Sequence, residues 1–225
     1  MSRKLNALVC VAHPDDETIF FGGLILSKNY NWTVVCATDA NADGLGAERM
    51  RQFKRSCQAL GVKNIVTLNF IDKFRKRIPI KKLIIELQKL GDFDEVYTHG
   101  ILGEYGHIQH QDVSFAVHQV FASSTKVFSV AYNIYPKLHV LLTEKQFKIK
   151  TDILWKIYSG ESLRFLSLLP ATFSEGFCQI SISEIKEIYE YVLGKKKLNK
   201  KNLEHYAWLA TYIEKRDYEL KFRPF

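Results

Sequence analysis

Short apolar runs rich in β-branched residues alternate with helical patterns along the first part of the chain. The predicted strands are residues 5–11, 32–38, 62–68, 93–98 and 126–132. The predicted helices between them are residues 18–27, 47–60, 79–90 and 107–121. Strands that alternate with helices form mostly parallel sheets with right-handed crossovers and flanking helices. The pattern therefore predicts the α/β class.

Beyond about residue 142 the pattern becomes mainly helical, with predicted helices at residues 144–158, 183–193 and 202–215. No internal repeat and no linker rich in Pro, Gly or Ser marks a domain boundary. We therefore expect a single domain over residues 1–225. It would have an α/β core at about residues 1–142 and a mainly helical C-terminal part at about residues 143–225, packed on the core or used as a cap.

The composition is that of a globular protein, because 47% of the 225 residues are hydrophobic. The longest apolar runs are far shorter than the roughly 20 residues of a membrane-spanning helix. The N-terminal residues do not resemble a signal peptide, so a cytoplasmic location is expected. The four cysteines show no C-x-x-C spacing and are expected to be buried packing residues.

The formal net charge of +8 is diffuse, apart from a Lys-rich cluster at residues 195–201. Such charge permits contact with an anionic substrate or a membrane surface, although solvated lysines are the plainer explanation. No nucleic-acid-binding motif accompanies it, so a nucleic-acid partner is not expected. The sequence gives no indication of the oligomeric state.

The sequence A-H-P-D-D-E, residues 12–17, follows directly on the first predicted strand. Its three carboxylates repel one another unless a cation or strong hydrogen-bond donors hold them. One of the acids is a suitable N-cap for the helix that follows, but capping leaves His13 unexplained. The motif therefore predicts a metal site at the carboxyl end of the strand.

A second group of polar side chains follows the fourth predicted strand. Glu104 and Tyr105 lie in the loop, and His107 and His110 follow at a spacing that places both imidazoles on one helix face. A histidine pair alone is weak evidence for a metal site. Because the carboxyl ends of parallel strands meet at one sheet edge, this group is expected to join the first motif. Two histidines and one carboxylate make a catalytic metal site with open positions, and zinc suits that ligand set best.

These motifs resemble those of the PIG-L/LmbE-type zinc-dependent N-deacetylases, which remove acetyl groups from N-acetylglucosamine-containing substrates. The resemblance extends over about residues 5–180. Its anchors are residues 12–17, residues 46–61 with Arg49, residues 98–100, residues 103–107 with His110, and residues 175–177. The resemblance implies a Rossmann-like α/β sheet, in agreement with the pattern of strands and helices.

The resemblance also implies a role for each residue of the two motifs. The residues that correspond to zinc ligands are His13, Asp16 and His110. Asp15 corresponds to the general base. His107 corresponds to the group that stabilises the oxyanion or protonates the leaving amine, and Tyr105 to a mobile tyrosine that polarises the acetyl carbonyl. Iron(II) is able to compete with zinc for such a site in cells.

Substrate-binding residues are expected at the same sheet edge. Arg49 matches a substrate-binding arginine of the family, with a solvated helix face as the alternative. Asp39 and Asn41 follow the second predicted strand, where they would contact sugar hydroxyls or serve as turn residues. Gln109 stands where many family members carry an acidic residue. His99 follows the fourth strand and either supports the zinc ligands or is an ordinary strand-end histidine.

The sequence therefore predicts a zinc-dependent hydrolase that removes the N-acetyl group from an amino sugar of N-acetylglucosamine type and releases acetate. The substrate would be a small molecule or a lipid- or nucleotide-linked amino sugar. Two alternatives stay open: an amidohydrolase that acts on another N-acyl conjugate, and a sugar-binding protein that keeps the fold without turnover. The sequence contains Asp15 together with all of the proposed ligands, which favours an enzyme.

Overall fold

The computed structural model describes residues 3–160 and 173–216. Its strands are β1 (Asn6–Val11), β2 (Asn31–Thr38), β3 (Asn64–Phe70), β4 (Glu95–Thr98), β5 (Lys126–Val130), β6 (Leu138–Leu141) and β7 (Ser174–Gln179). Its helices are α1 (Asp16–Ser27), α2 (Gly46–Ala59), α3 (Ile80–Gln88), α4 (Ile108–Phe121), α5 (Glu144–Lys156), α6 (Ile182–Val192) and α7 (Ala207–Arg216), with a short 3₁₀ helix at Lys200–Asn202. No helix within these two ranges has the length and apolar character needed to cross a membrane.

The strands of this part of the chain form one seven-stranded sheet in the order β3-β2-β1-β4-β5-β7-β6. Strands β1 to β5 are parallel, which confirms the predicted α/β class with its mostly parallel sheet. The strand order reverses between β1 and β4, where Cys10 lies beside Thr98. Open parallel sheets bind ligands outside the carboxyl ends of their strands at such a point.

The sheet extends beyond the five strands that the sequence predicts. Strand β7 pairs antiparallel with both β5 and β6. It belongs to the part of the chain predicted to be mainly helical, so that prediction missed a strand. The sequence of β7, S-E-G-F-C-Q, contains no β-branched residue, and local propensity therefore does not indicate a strand. Pairing with the neighbouring strands decides its conformation.

Side chains of β1 alternate between two apolar layers, one on each face of the sheet. Val9 and Val11 pack in the layer that contains Phe21 of α1, and Leu8 and Cys10 pack in the layer that contains α3 and α4. A third apolar cluster joins α6 and α7 to the loop after β4. The four cysteines are buried and free, as expected from their spacing. Burial on both faces fixes β1 and therefore the position of the polar residues that follow it.

A buried ion pair fixes the middle of α1. The ammonium group of Lys150 on α5 donates to Glu175 Oε1 at 2.5 Å and to the carbonyl oxygen of Ile19 at 2.8 Å. Glu175 on β7 accepts the backbone N–H groups of Gly23 and Leu24 at 2.6 and 2.7 Å. Both charged side chains are buried, so each compensates the charge of the other while the helix backbone satisfies the remaining polar atoms. The ion pair thereby joins α5, β7 and α1.

Gly23 leaves the space that this ion pair needs, and we expect Gly23→Ala to destabilise the protein. A β-carbon at this position would lie 2.4 Å from Leu142 Cδ1 and 2.9 Å from Glu175 Oε1. Overpacking of this kind lowers the free energy of unfolding by about 1–3 kcal/mol. Urea unfolding followed by circular dichroism measures the loss.

The matched control is Gly22→Ala. A β-carbon at Gly22 would lie 3.4 Å from Lys150 Cγ, which is an ordinary contact. Alanine is favoured over glycine inside a helix by about 1 kcal/mol, so this variant should be no less stable than the wild type. Equal stabilities of the two variants would contradict the proposed close approach at Gly23.

Candidate metal centre and active site

The turn after β1 positions its acidic side chains through backbone hydrogen bonds. Helix α1 begins at Asp16, and Asp15 is its N-cap residue with a φ of 90°. The carboxylate of Asp16 accepts the backbone N–H of His13 at 2.9 Å. The carboxylate of Glu17 accepts the backbone N–H of Asp15 at 2.9 Å. A positive φ is strained in a residue other than glycine, and such strain is common where a turn orients functional side chains.

Glu17 supports the turn. It is buried, and its Oε1 atom accepts the hydroxyl groups of Thr18, Ser56 and Tyr158 at 2.7, 2.6 and 2.9 Å. Burial raises the pKa of Glu17, and these hydrogen bonds oppose the rise. The other carboxylate oxygen holds the backbone of Asp15. Glu17 therefore fixes the conformation of its neighbour, and all of its acceptor atoms are used by the protein.

The loop after β4 contains another buried carboxylate. Glu104 Oε1 accepts the backbone N–H of Gly100 at 2.7 Å, and Oε2 lies 2.6 Å from Nδ1 of His110. Gly103 permits the tight turn, since its φ is 73° and a β-carbon there would lie 2.3 Å from the carbonyl oxygen of His107. His107 is the N-cap residue of α4. The first turn of α4 consequently places His110 in contact with Glu104.

The structure brings the three predicted metal ligands together. Nδ1 of His13 lies 3.2 Å from Nε2 of His110 and 3.5 Å from Oδ2 of Asp16. Nε2 of His110 lies 3.4 Å from the same oxygen. Ligand atoms that surround a tetrahedral zinc ion at about 2.0–2.1 Å lie about 3.3 Å from one another. The triangle of donor atoms therefore has the size that zinc requires.

Each imidazole of the triangle has one ring nitrogen inside the triangle and one outside it. A hydrogen bond at the outer nitrogen determines whether the inner nitrogen has a lone pair. Nε2 of His13 lies 2.6 Å from Oε1 of Gln109, and Nδ1 of His110 lies 2.6 Å from Oε2 of Glu104. Each of these nitrogens must carry a proton, because its partner is an oxygen acceptor. The other nitrogen of each neutral ring then has a lone pair that faces Asp16. Three electron-pair donors that face one another in this way form a site for a cation.

His99 lies beside the triangle and supports the ligands. Its Nε2 atom accepts the backbone N–H of Ala12 at 3.0 Å, so this lone pair is used although it lies only 3.4 Å from Asp16 Oδ2. Its ring stacks on that of His110 with the centroids 3.8 Å apart, and its Nδ1 lies 3.2 Å from Glu104 Oε2. Of the two roles that the sequence left open for His99, the geometry favours support of the ligands.

His107 and Tyr105 are the other predicted site residues that reach the triangle. The ring centroid of His107 lies 4.6 Å from those of both His13 and His110. Its Nδ1 atom is buried and has no hydrogen-bond partner among the described residues. Burial and the two neighbouring histidines lower the pKa of His107. The ring of Tyr105 lies 5.6 Å from that of His110 and 6.1 Å from that of His107. His107 therefore has a buried polar atom that is available to a bound molecule.

Residues 8–121, just over half of the chain, match the sequence profile of PIG-L, described as GlcNAc-PI de-N-acetylase. The chain belongs to the PIG-L family. The matched segment runs from β1 to the end of α4, so it contains both polar motifs and all three members of the donor triangle.

A probable N-acetylglucosaminyl-phosphatidylinositol de-N-acetylase of Dictyostelium discoideum is 29% identical over 133 residues, which cover 54% of this chain and 52% of that protein. The chain spans about half the length of the curated relatives it matches. The solved structure of N,N'-diacetylchitobiose deacetylase from Pyrococcus horikoshii is similar with a TM-score of 0.59 at 21% identity, over 78% of this chain and 83% of that one. That of 4-carboxy-2-hydroxymuconate hydratase from Pseudomonas putida has a TM-score of 0.58 at 14% identity, over 80% and 97%. At these identities both structures show that this PIG-L family member shares their fold.

Asp39 and Asn41, two of the predicted substrate-binding residues of this PIG-L family member, build the loop between β2 and α2. Asp39 Oδ1 accepts the backbone N–H groups of Asn41 at 3.1 Å and of Asp72 at 2.8 Å. Asn41 Oδ1 accepts the backbone N–H of Gly46 at 3.1 Å. These bonds favour the turn role that the sequence left open, and contact with a sugar stays a prediction.

Arg49, the third predicted substrate-binding residue, also reaches this loop. Its guanidinium group donates to the carbonyl oxygen of Ala40 at 3.0 Å and to the carboxylate of Asp43 at 2.7 Å. Its side chain is mostly buried, with a relative exposure of 13%, so it does not lie on a solvated helix face. These contacts order the loop at the edge of the sheet where the metal site lies. A direct role in substrate binding stays a prediction.

Gln109 links His13, a predicted metal ligand, to the loop that precedes α3. Its Oε1 atom faces Nε2 of His13, and its Nε2 atom donates to the carbonyl oxygen of Lys76 at 3.1 Å. Because a carbonyl oxygen only accepts, this second bond fixes the orientation of the amide and with it the proton on His13. The sequence identified Gln109 only as a neutral residue in place of an acid. The contact with His13 joins residues 96 positions apart, and no local pattern indicates it.

We expect Gln109→Ala to weaken zinc binding about 10- to 100-fold. The substitution removes the acceptor that holds His13 with its Nδ1 lone pair toward the site, and the loss of such a supporting bond has an effect of this size. Competition between metal-stripped protein and a chromophoric chelator measures the affinity.

Gln111→Ala is the matched control on the same helix. Gln111 is also buried, but it donates to the carbonyl oxygen of Leu102 and accepts from Arg77, with no contact to a ligand histidine. Its removal should leave zinc affinity within about threefold of the wild type, since it contacts no ligand. Wild-type zinc affinity in a folded Gln109→Ala variant would show that the amide does not position His13.

Proposed function

We propose that the chain is a zinc-dependent hydrolase that removes the N-acetyl group from an N-acetylglucosamine-type glycoconjugate and releases acetate and a free amine. The observation that carries this proposal is the convergence of three lone-pair donors with His107 at the carboxyl ends of β1 and β4. Membership of the PIG-L family and the names of two curated relatives support it.

The metal would be held by His13, Asp16 and His110. Two imidazoles and one carboxylate suit zinc and leave positions for water and substrate, and the same set also accepts iron(II). Zinc bound there would supply Lewis acidity toward the amide carbonyl and would allow water to act as a nucleophile near neutral pH.

Asp15 is the group that we assign to accept the proton of the attacking water. It neighbours the ligand Asp16, and Glu17 fixes its backbone. Burial and then the charges of Asp16 and Asp15 raise the pKa of Tyr105. A carboxylate in this position is able to take a proton from water and to pass it to the leaving nitrogen.

His107 and Tyr105 would meet the charge that develops on the carbonyl oxygen of the substrate. The unsatisfied and buried Nδ1 atom of His107 is available for a hydrogen bond with a bound molecule. The raised pKa of Tyr105 keeps its phenol protonated and therefore a donor. Donors fixed in a site from which water is excluded stabilise an oxyanion more strongly than water does.

A cavity of about 350 Å³ lies beside the carboxyl end of β5, and we assign it to the sugar. Phe20 lines the cavity, and its ring lies 6.3 Å from that of the ligand His110. Tyr132 and His139 line it as well, and they offer a ring face and polar atoms. Pockets for small molecules span about 300–1,000 Å³, so this one has room for a single sugar ring.

The rival hypotheses differ from this one in substrate or in turnover. An amidohydrolase for another N-acyl conjugate would use the same residues around a different acyl or amine group. A sugar-binding protein without turnover would have no need of Asp15 next to the ligands. A hydratase has the same fold, so the fold alone does not indicate hydrolysis. The proposal of hydrolysis therefore rests on the side chains of the site.

The test of the proposal is acetate release from a panel of N-acetylglucosamine conjugates that includes N-acetylglucosaminyl-phosphatidylinositol. Metal-stripped protein and zinc-reconstituted protein are compared on every member. Release that requires zinc is the expected result, and the rates rank the substrates. Absence of release from every conjugate by protein that binds one equivalent of zinc would overturn the proposed substrate class.

We expect Asp15→Asn to lower the rate of acetate release by about 10²- to 10⁴-fold, because the variant lacks the proton acceptor. Asparagine tolerates a positive φ, so the turn should persist and zinc should stay bound. Steady-state rates and zinc content by atomic absorption measure the two effects separately. Asp92→Asn, at an exposed position outside the site, is the control for loss of one carboxylate. A zinc-loaded Asp15→Asn protein with the wild-type rate would refute the role of Asp15.

A further inference from the structure

We propose that the loop between β3 and α3, residues 71–77, docks the protein on an anionic phospholipid surface next to the metal site. This β3–α3 loop has the sequence I-D-K-F-R-K-R, in which four of the seven residues are cationic. The proposal does not depend on the deacetylase activity, because it concerns a surface whose side chains are outside the reacting groups.

The cations of the β3–α3 loop are directed to solvent. Lys73, Arg75 and Lys76 are exposed, and none of them forms an ion pair with another residue of the described ranges 3–160 and 173–216. Arg77 differs, since it donates to the buried carboxylate of Asp112 at 2.6 Å and anchors the end of the loop. Each Lys or Arg near an anionic leaflet strengthens binding about fivefold, so three cations without ion-pair partners make a substantial attraction.

Apolar side chains protrude between these cations. The backbone N–H of Lys76 donates to the carbonyl oxygen of Lys73, which closes a turn with Phe74 and Arg75 at its tip. Phe74 has a relative exposure of 65% and Ile71 one of 62%. The guanidinium group of Arg75 lies 5.4 Å from the centroid of the Phe74 ring. Apolar side chains flanked by cations are the composition of segments that insert between lipid headgroups.

The β3–α3 loop is hydrogen-bonded to the β2–α2 loop at its start and to Gln109 near its end. At its start, the backbone N–H of Asp72 donates to Asp39 of the β2–α2 loop at 2.8 Å. Near its end, the carbonyl oxygen of Lys76 accepts from Gln109, which holds the ligand His13. A surface that bound the loop would therefore lie beside the opening of the site.

Other exposed apolar and aromatic side chains surround the same edge of the sheet. Tyr132 and Tyr135 follow β5 with relative exposures of 47% and 78%, and Leu45 precedes α2 with 54%. Tyrosine at such positions suits the boundary between water and lipid. The edge that carries the metal site thus combines free cations with exposed apolar groups on more than one loop.

The Lys-rich cluster at residues 195–201 lacks this combination and provides a matched control. Lys196 pairs with Glu187 at 2.8 Å and with Glu190 at 2.9 Å, and the apolar Leu198 packs on the cluster formed by α6 and α7. Lys195, Lys197 and Lys201 are exposed. Replacement of these three lysines removes three positive charges, the same number as a triple substitution in the β3–α3 loop.

The experiment is co-sedimentation of the full chain with phosphatidylcholine vesicles, either pure or with about 20 mol% phosphatidylserine. We expect the wild type to bind the anionic vesicles. The variant Lys73→Gln/Arg75→Gln/Lys76→Gln should bind them about a hundredfold more weakly, since each cation contributes about fivefold to the affinity. The Lys76 carbonyl that Gln109 uses is unchanged in this variant. The control Lys195→Gln/Lys197→Gln/Lys201→Gln should bind within about threefold of the wild type, because salt screens charges away from the surface.

The apolar contribution is tested with Ile71→Ser/Phe74→Ser, which should weaken binding to anionic vesicles about tenfold. Its matched control is Trp155→Ser/Ile182→Ser, at positions that are exposed on α5 and α6. Circular dichroism melting verifies that each variant folds.

A measurement that does not depend on lost binding uses Phe74→Trp. Brominated phosphatidylcholine in anionic vesicles should quench this variant more than the wild type, in which the exposed Trp155 and Trp208 report on other surfaces. Equal quenching of the two proteins would overturn the proposal, as would absent binding of the wild type or equal losses in the loop and control variants. Release of the bound protein by millimolar inorganic phosphate would also overturn it, because it would indicate a site for a single phosphate.

Discussion

The site depends on holding three electron-pair donors close together against their mutual repulsion. Nδ1 of His13, Nε2 of His110 and Oδ2 of Asp16 lie 3.2–3.5 Å apart. Left alone, such groups would turn away from one another or take up protons. The protein opposes this with Gln109 and Glu104, whose oxygen atoms accept hydrogen bonds from the outer ring nitrogens of His13 and His110 and leave the lone pairs of the inner nitrogens facing Asp16. The rest of the fold supplies the free energy that holds the donors close together, and a cation that bound between them would remove their repulsion.

The topology of the sheet supplies the convergence. Strands β1 and β4 are neighbours although 83 residues of chain separate Val11 from Glu95, because the strand order reverses between them. Their carboxyl ends therefore present the segments that follow them to one crevice. The turn after β1 brings two carboxylates and one imidazole, and the loop after β4 brings Glu104 and the histidines of α4. Neither segment alone contains the complete set of donors.

The sequence predicted those parts of the structure that local pattern determines. The alternation of strands and helices predicted β1 to β5, and the resemblance to the PIG-L/LmbE-type deacetylases identified His13, Asp16 and His110 as residues that would meet. It did not predict β7, whose sequence has no β-branched residue and whose pairing depends on strands far away in the chain. It also missed the contacts of Gln109 and Glu17, since each depends on partners that only the folded chain places nearby. The sequence therefore predicted which types of side chain the site contains, but it did not predict the hydrogen-bond partners of those side chains.

Strand β7, one of the two strands that the sequence did not predict, affects the site through α1. Asp16 is the first residue of this helix, so a small shift of the helix would move a ligand oxygen out of the donor triangle. Active sites require ligand positions accurate to about 0.5 Å. Glu175 of β7 and Lys150 of α5 bond to the backbone of α1 at Gly23, Leu24 and Ile19, in a place where both charges are buried. A misplaced buried charge is far more costly than a misplaced apolar group, so the ion pair tolerates little movement of the helix. The C-terminal part of the chain thus acts on the metal site from its far side, by fixing the helix that begins with one of the ligands.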